Sequence, residues 1–205
     1  MKLICFSDLH AHKFKDFAKI DEVTGNSRLT NILNCLDQIR EYAVNNGIRH
    51  ILFGGDLFHV RGSVDTVTFN ATFKKVKSFS DAGLKTLMIV GNHDQYSSET
   101  YPEHSLEAFK ELPNVVVLDR FTPHKLGDSG EYVFPVPYSS DINLIKDKIK
   151  EYKGKVMSEN ISKAILLGHI GISGASVGKS SYVMQDAFSL DDLYPDVFKF
   201  GVFGH

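Results

Sequence analysis

Short apolar runs that end in polar, glycine-containing turns alternate along this chain with stretches whose apolar residues recur at helical spacing. Runs over 2–7, 48–53 and 84–90 have the length of a strand buried on both faces. Between the first two, Leu29, Ile32, Leu33, Leu36, Ile39 and Ala43 form one helical stripe, opened by an N-cap at Asn26 or Ser27 and stopped by Gly47. Between the second and third, Val67, Phe69, Phe73, Val76 and Phe79 form another over 63–82, capped by Ser63 and stopped by Gly83. Three such units in succession predict an α/β fold with a parallel sheet and helices on its faces. Residues 11–27 mix Lys, Asp, Thr, Gly and Asn without a period and read as a loop.

The pattern continues with a short helix over 104–112, a strand over 114–118, and a strand over 131–137 whose Pro135 and Pro137 suggest an edge or a strand end. A helix over 140–152 leads to a strand over 163–167 that stops at Gly168-His169. A Gly/Ser-rich loop over 170–187 precedes the last strand, 198–203, which stops at Gly204-His205.

With 205 residues, 42% hydrophobic and 15 Phe, the chain can bury a sizeable core as one domain. Its two cysteines, Cys5 and Cys35, form no C-x-x-C pair and fall in a predicted strand and helix. They read as buried thiols in a reducing, cytoplasmic compartment. The apolar start reaches Ser7-Asp8 after too few residues for a signal peptide or a membrane span. A formal charge of −2 gives no global attraction for polyanions, so any nucleic-acid binding must use local patches, metal ions or a partner. Lys146, Lys148, Lys150, Lys153 and Lys155, broken by Asp147 and Glu151, read as a solvated helix face.

Five predicted strands end in a polar set: Asp8 and His10, Asp56, Asn92 and His93, His169, and His205. Strands of one sheet bring their carboxyl ends together, and sites of open α/β folds lie there. Of nine histidines, four occupy such ends and a fifth, His59, lies three residues past Asp56. Taken singly each has a plain structural explanation: Asp8 or Asp56 as a cap, His169 or His205 as a satisfied core histidine, Asn92 as a turn residue, His59 as a cap or surface residue. Taken together, all these explanations must hold at once. The run ending at Val90 shows the problem: Gly91 and Asn92 suit a turn, but His93 and Asp94 stay idle. Mixed oxygen and imidazole donors with a carboxylate able to bridge suit two divalent ions about 3.5–4 Å apart. Phosphoester hydrolysis is the natural chemistry of such a pair.

These residues follow, in order, the pattern D-x-H, G-D, G-N-H-[DE], G-H, G-H-x-H, and the chain resembles the calcineurin-like metallophosphoesterases from Asp8 to His205. The resemblance implies a four-layer α/β/β/α sandwich of two mixed sheets flanked by helices. It places one metal on Asp8, His10 and Asp56 and a second on Asp56, Asn92, His169 and His205, with Asp56 as the bridge. His93 would bind no metal but face the substrate, stabilising the transition state or protonating the leaving oxygen, and Asp94 would orient His93. Gly54-Gly55-Asp56-Leu57-Phe58-His59 and Gly91-Asn92-His93-Asp94 are similar to the SbcD-type nucleases of double-strand-break repair, phage versions included. That likeness implies a Mn²⁺-dependent nuclease at DNA ends, with Mg²⁺, Fe²⁺ or Zn²⁺ as other candidate ions. A metal-bridging hydroxide would attack in line, His59 would be a second substrate-side histidine, and a coiled-coil ATPase of the SbcC type would be the partner.

The family's last motif is G-H-x-H, and the sequence stops at its first histidine, His205. The expectation is a metallophosphoesterase domain over 1–205 of a longer protein, without the family's capping domain and partner-binding segment. Gly174 to Ser180 ends like a phosphate-binding loop, but Ser173 stands where the pattern needs glycine. It reads instead as a polar loop whose Lys179 and Ser180 could approach a phosphate backbone. The stripe over 63–82 reads as core, or as a homodimer face. Two rival functions share the pattern: a small-molecule phosphodiesterase or phosphoprotein phosphatase with the same ligands, and a metal-free binding scaffold.

Overall fold

The computed structural model describes residues 2–97, 102–127, 130–174 and 188–205. The short apolar runs become four parallel strands, β1 (Leu3–Phe6), β2 (His50–Phe53), β3 (Lys85–Ile89) and β4 (Val115–Leu118), side by side in that order. A second sheet holds β5 (His124–Leu126), β6 (Glu131–Val136), β7 (Lys163–His169) and β8 (Phe200–Gly204), again in chain order. Of the two sheets expected to be mixed, only the second is: β5 runs antiparallel to β6, and the remaining pairs are parallel.

Helices α1 (Ser27–Asn45) and α2 (Thr66–Asp81) cover the first sheet, and α3 (Ile142–Ser158) covers the second. Leu29, Leu33, Leu36, Val76 and Phe79 pack with Ile51, Phe53 and Met88 on one side. Ile145, Ile149, Tyr152 and Val156 pack with Phe134, Val136 and Leu166 on the other. Between the sheets, Leu52, Leu87 and Ile89 meet Leu126, Val133, Ile165 and Leu167. Three cores between four layers make the α/β/β/α sandwich. Alternate residues of β2 and β3 face different layers, which is why their runs are apolar throughout.

Several local expectations are corrected. The cap of α2 is Asp65, whose carboxylate accepts from the Val67 and Thr68 amides, not Ser63. The strand carrying Pro135 ends at Val136, just before Pro137, as the strand-end reading expected, but it is not an edge: β5 pairs only with residues 131–133 and ends before Pro135 needs a partner on that side. β5 itself is too short to announce itself in sequence. α3 extends to Ser158, six residues beyond the expected end. Both thiols are exposed, Cys5 on edge strand β1 and Cys35 on the polar face of α1. The helix stripe is turned inward, with Phe58, Phe69, Phe73 and Phe109 packed ring to ring and Val67 left outside. Four of the five lysines of α3 are engaged by acids and a ring: Lys146 with Asp192, Lys148 with Glu151, Lys155 with Glu159, Lys153 over Tyr194. Lys179 and Ser180 lie outside the described residues.

Denaturant unfolding checks this assignment. Leu87→Ala, in the layer between the sheets, should cost about 2–5 kcal/mol. Asp65→Ala should cost about 1 kcal/mol, whereas Ser63→Ala should stay within about 0.5 kcal/mol of the parent.

Candidate metal centre

Both sheets send their carboxyl ends to one edge of the sandwich. The first supplies Asp8 and His10 after β1, Asp56 and His59 after β2, and Asn92, His93 and Asp94 after β3; the second supplies His169 at the end of β7 and His205 after β8. All six expected ligands meet there. The Asp56 Oδ2 atom lies 3.7 Å from His10 Nε2 and 3.4 Å from His169 Nε2. His10 Nε2 is 3.9 Å from Asp8 Oδ1, His169 Nε2 is 2.8 Å from Asn92 Oδ1, and His205 Nδ1 is 3.4 Å from His169 Nε2.

The backbone that achieves this is not the extended one that would align residues two apart on a strand. Asp8, His10 and Asp56 all adopt left-handed conformations, with φ of 55°, 48° and 62°. Each costs roughly 1–3 kcal/mol for a residue with a side chain. They are held by a ladder between the two turns, in which the amides of Asp8, His10 and Ala11 donate to the carbonyls of Gly55, Asp56 and Leu57. Gly91 is required because a Cβ there would sit 2.2 Å from Asp56 Oδ1. At Gly55, with φ of +98°, a Cβ would sit 2.4 Å from His169 Nδ1.

Asp94 is almost fully buried, at 1% exposure. Its carboxylate does not reach for the His93 ring but accepts the amides of Asp56 (2.9 Å), Leu57 (2.9 Å), Phe58 (3.3 Å) and Gly91 (3.0 Å). Burial pushes its pKa up to about 7 against the pull of those amides. The influence on His93 is indirect: Asp94 fixes the Asp56 turn, and the His93 amide donates to Asp56 Oδ1 at 2.9 Å. The His93 ring is oriented by a residue not assigned that task, its Nδ1 lying 2.5 Å from the His59 carbonyl. That bond makes Nδ1 the protonated nitrogen and leaves Nε2 open.

The electrostatics fit a cation. Burial raises the Asp56 pKa, but the bond to His169 and the His93 amide outweigh it and hold the carboxyl below its usual range. Burial likewise disfavours a charged His169, yet Asp56 outweighs it and holds the imidazole above its ordinary value. His169 Nδ1 donates to the Gly54 carbonyl at 2.7 Å. Its Nε2, Asn92 Oδ1 and Asp56 Oδ2 therefore crowd together as acceptors, a conflict that a proton on Nε2 or a divalent ion relieves. Rotating the Asn92 amide is the other remedy, and would let its oxygen accept from Arg61 Nη2 at 2.6 Å. His205 and His59 are both held toward the neutral form, first by burial and then by neighbouring imidazoles.

Three further residues belong to this edge. The Tyr138 ring lies 6.0 Å from His205, nearly parallel to it. Arg61 stands by Asn92. His12 packs 5.2 Å from His59; the repeat of His10 two positions on was its signal in the sequence. Tyr138 follows a strand that carried no motif. Among the described residues a second group of donors, His104, Glu107 and Asp119, is closed by Lys110, which contacts both acids.

The calcineurin-like phosphoesterase family model matches residues 1–205. "Exonuclease subunit 1" of Enterobacteria phage T4 is 36% identical over 88 residues, 42% of this chain and 26% of that protein. "DNA double-strand break repair protein Mre11" of Sulfolobus acidocaldarius is 25% identical over 174 residues, 84% of this chain and 42% of that protein. The chain spans less than half the length of either relative.

Below its elevated pKa His169 carries a proton on Nε2 that metal binding would displace. Calorimetric titration with Mn²⁺ should therefore show proton release and an affinity that rises as pH climbs through the elevated His169 pKa. Asp94→Asn should weaken metal binding about 10- to 100-fold although it contacts no ligand atom of the second sheet.

Proposed function

The chain belongs to the calcineurin-like phosphoesterase family, and on that premise we propose that it is a metal-dependent nuclease acting on DNA ends. The observation that carries the reading is the pairing of two donor groups at one edge. Asp8, Asp56 and His169 bring ligand atoms within 4.8 Å of one another, and so do His10, His59 and His93. The first group, joined by His10 of the second, can hold cations, and His59 and His93 place two further imidazoles beside them. Support for DNA comes from the two relatives, one named as an exonuclease subunit and one as a double-strand-break repair protein.

In this reading Asp8, His10 and Asp56 hold one divalent ion, and Asp56, Asn92, His169 and His205 the other, with Mn²⁺ the first choice. Such ions supply Lewis-acid chemistry, activating water and offsetting charge on phosphoryl oxygens. The chain's own task is to place protons. His93 is fixed at Nδ1 by the His59 carbonyl and at its amide by Asp56, so Nε2 is the free nitrogen; when the ring carries a second proton there, it can pass that proton to the leaving oxygen and return to the Nδ1–H tautomer. The His59 ring, stacked on His93 at 5.6 Å and held toward neutrality, lies beside that path as a second substrate-side group. Asp94 positions both turns. No helix among the described residues is long and apolar enough to cross a membrane. The partners that go with the reading are DNA, a coiled-coil ATPase of the SbcC type and a second copy of the chain.

Cleavage of single- and double-stranded DNA with Mn²⁺ tests this. His93→Ala should lower turnover by about 10²- to 10⁴-fold while metal content stays at the parent level. Unchanged cleavage would remove His93 from its role. Efficient turnover of small chromogenic phosphodiesters with no action on DNA would favour a small-molecule phosphodiesterase.

A further inference from the structure

We propose that the loop between β1 and α1 is a stacking site for unpaired bases of a nucleic-acid strand, with Phe17 as the ring on which a base rests. The idea draws on the nuclease reading for where the strand leads, but the binding it asserts does not require catalysis.

The loop lacks any hydrophobic period, yet its residues are ordered in another way. His12-Lys13-Phe14-Lys15-Asp16-Phe17-Ala18-Lys19 alternates rings with cations, the combination by which proteins hold single strands: cations follow the phosphates and rings stack on bases. Phe17 is 92% exposed and sits at a φ of 58°. A left-handed aromatic residue is strained, and burial of its ring does not compensate here. Ile20 and Val23 continue the apolar surface at 95% and 75% exposure. The loop is nonetheless pinned at its base. The Asn26 amide donates to the Phe14 carbonyl, Arg28 donates to the Asp16 carbonyl, and Lys19 and Ser27 bond each other twice. A pinned loop presents Phe17 without a large ordering cost on binding.

The loop also points somewhere. Phe14 lies 4.9 Å from His59 between ring centroids, His12 lies 5.2 Å from it, and His59 stacks on His93. A continuous ledge of half-buried rings thus runs from the loop to the centre, with Arg28 over the Phe14 ring at 5.6 Å. Phe17 is three residues from Phe14, at most about 11 Å of backbone away. Charge here is mixed, with Asp16, Asp21 and Glu22 sharing the loop with Lys13, Lys15 and Lys19, so any attraction is local to the unpaired lysines. The α3 lysines are largely spent on acids and a ring, and Lys13 pairs with Asp65. Lys15 and Lys19 make no ion pair among the described residues. In a chain of formal charge −2, they are a local attraction for phosphate next to the exposed ring.

The test is fluorescence anisotropy of the whole chain with labelled oligothymidylate and with a blunt duplex, in chelator so that no cleavage occurs. Phe17→Ala should weaken single-strand binding about tenfold, within the range of one lost base stack, with the melting temperature unchanged. Phe17→Trp should retain the affinity and Phe17→Leu should lose it, because stacking needs a π face and apolarity alone does not suffice. Lys15→Gln and Lys19→Gln should each reduce the slope of log affinity against log salt by about 0.7. Unchanged affinity in Phe17→Ala, full affinity in Phe17→Leu, or an equal loss on the blunt duplex would overturn the proposal. So would self-association that Phe17→Ala abolishes while oligothymidylate affinity stays the same. A protein that binds through Phe17 but cleaves nothing with Mn²⁺ sinks the nuclease reading alone. One that cleaves DNA yet ignores Phe17 sinks this inference alone.

Discussion

The buried carboxylate of Asp94 is the interaction on which the metal edge depends. A carboxylate taken out of water is costly unless its oxygens are filled, and here four backbone amides from two turns fill them. A hydrogen bond to a charged group is worth about 1.5–3 kcal/mol net. Burial works against them, strongly enough to raise the Asp94 pKa to about 7, but the geometry they fix is what holds Asp56 in a left-handed backbone that costs roughly 1–3 kcal/mol. With the turn after β2 fixed, Asp56 accepts from the His93 amide and stands against Gly91 where no Cβ would fit. The ladder from Gly55, Asp56 and Leu57 then holds Asp8, His10 and Ala11 in turn. The strain of three left-handed residues is thus carried by one buried acceptor.

That arrangement explains what was legible in the sequence. Helix stripes and buried strands follow from periodicity, and α1 begins at Asn26 as its cap chemistry requires. The residues of the centre could be read because each stands at the end of an apolar run, where parallel strands deliver them to one edge. The means of delivery could not. Asp8 and His10 look as if an extended strand should align them, and only the neighbouring turn reveals that left-handed backbone does so. Asp94 looks like a partner for the adjacent imidazole, but the four amides it serves are 3 to 38 residues away. β5 and the inner position of β6 escaped because three residues of strand carry no pattern, and because a proline is harmful only where a neighbour wants its missing N–H. The β1–α1 loop escaped for the opposite reason: its order lies in ring and cation alternation, which a search for hydrophobic period passes over.

The centre is also the place where two sheets are joined by polar contacts. Elsewhere they meet through Leu52, Leu87, Ile89, Leu126, Val133, Ile165 and Leu167, a layer held by burial and indifferent to small slides. At the edge, His169 from the second sheet donates to the Gly54 carbonyl of the first and faces Asn92 and Asp56, with Gly55 too close to tolerate a side chain. These contacts are directional, so they set the relative position of the sheets as the apolar layer cannot. A cation shared by Asp56 and His169 would bind only that one position. Its affinity is then part of the free energy that keeps the sandwich in register, since a ligand that binds one arrangement stabilises it by mass action. The burial that makes His169 and Asp56 expensive to charge singly is what makes them hold a proton or an ion between them. Packing of the two sheets and occupation of the centre are therefore one coupled equilibrium.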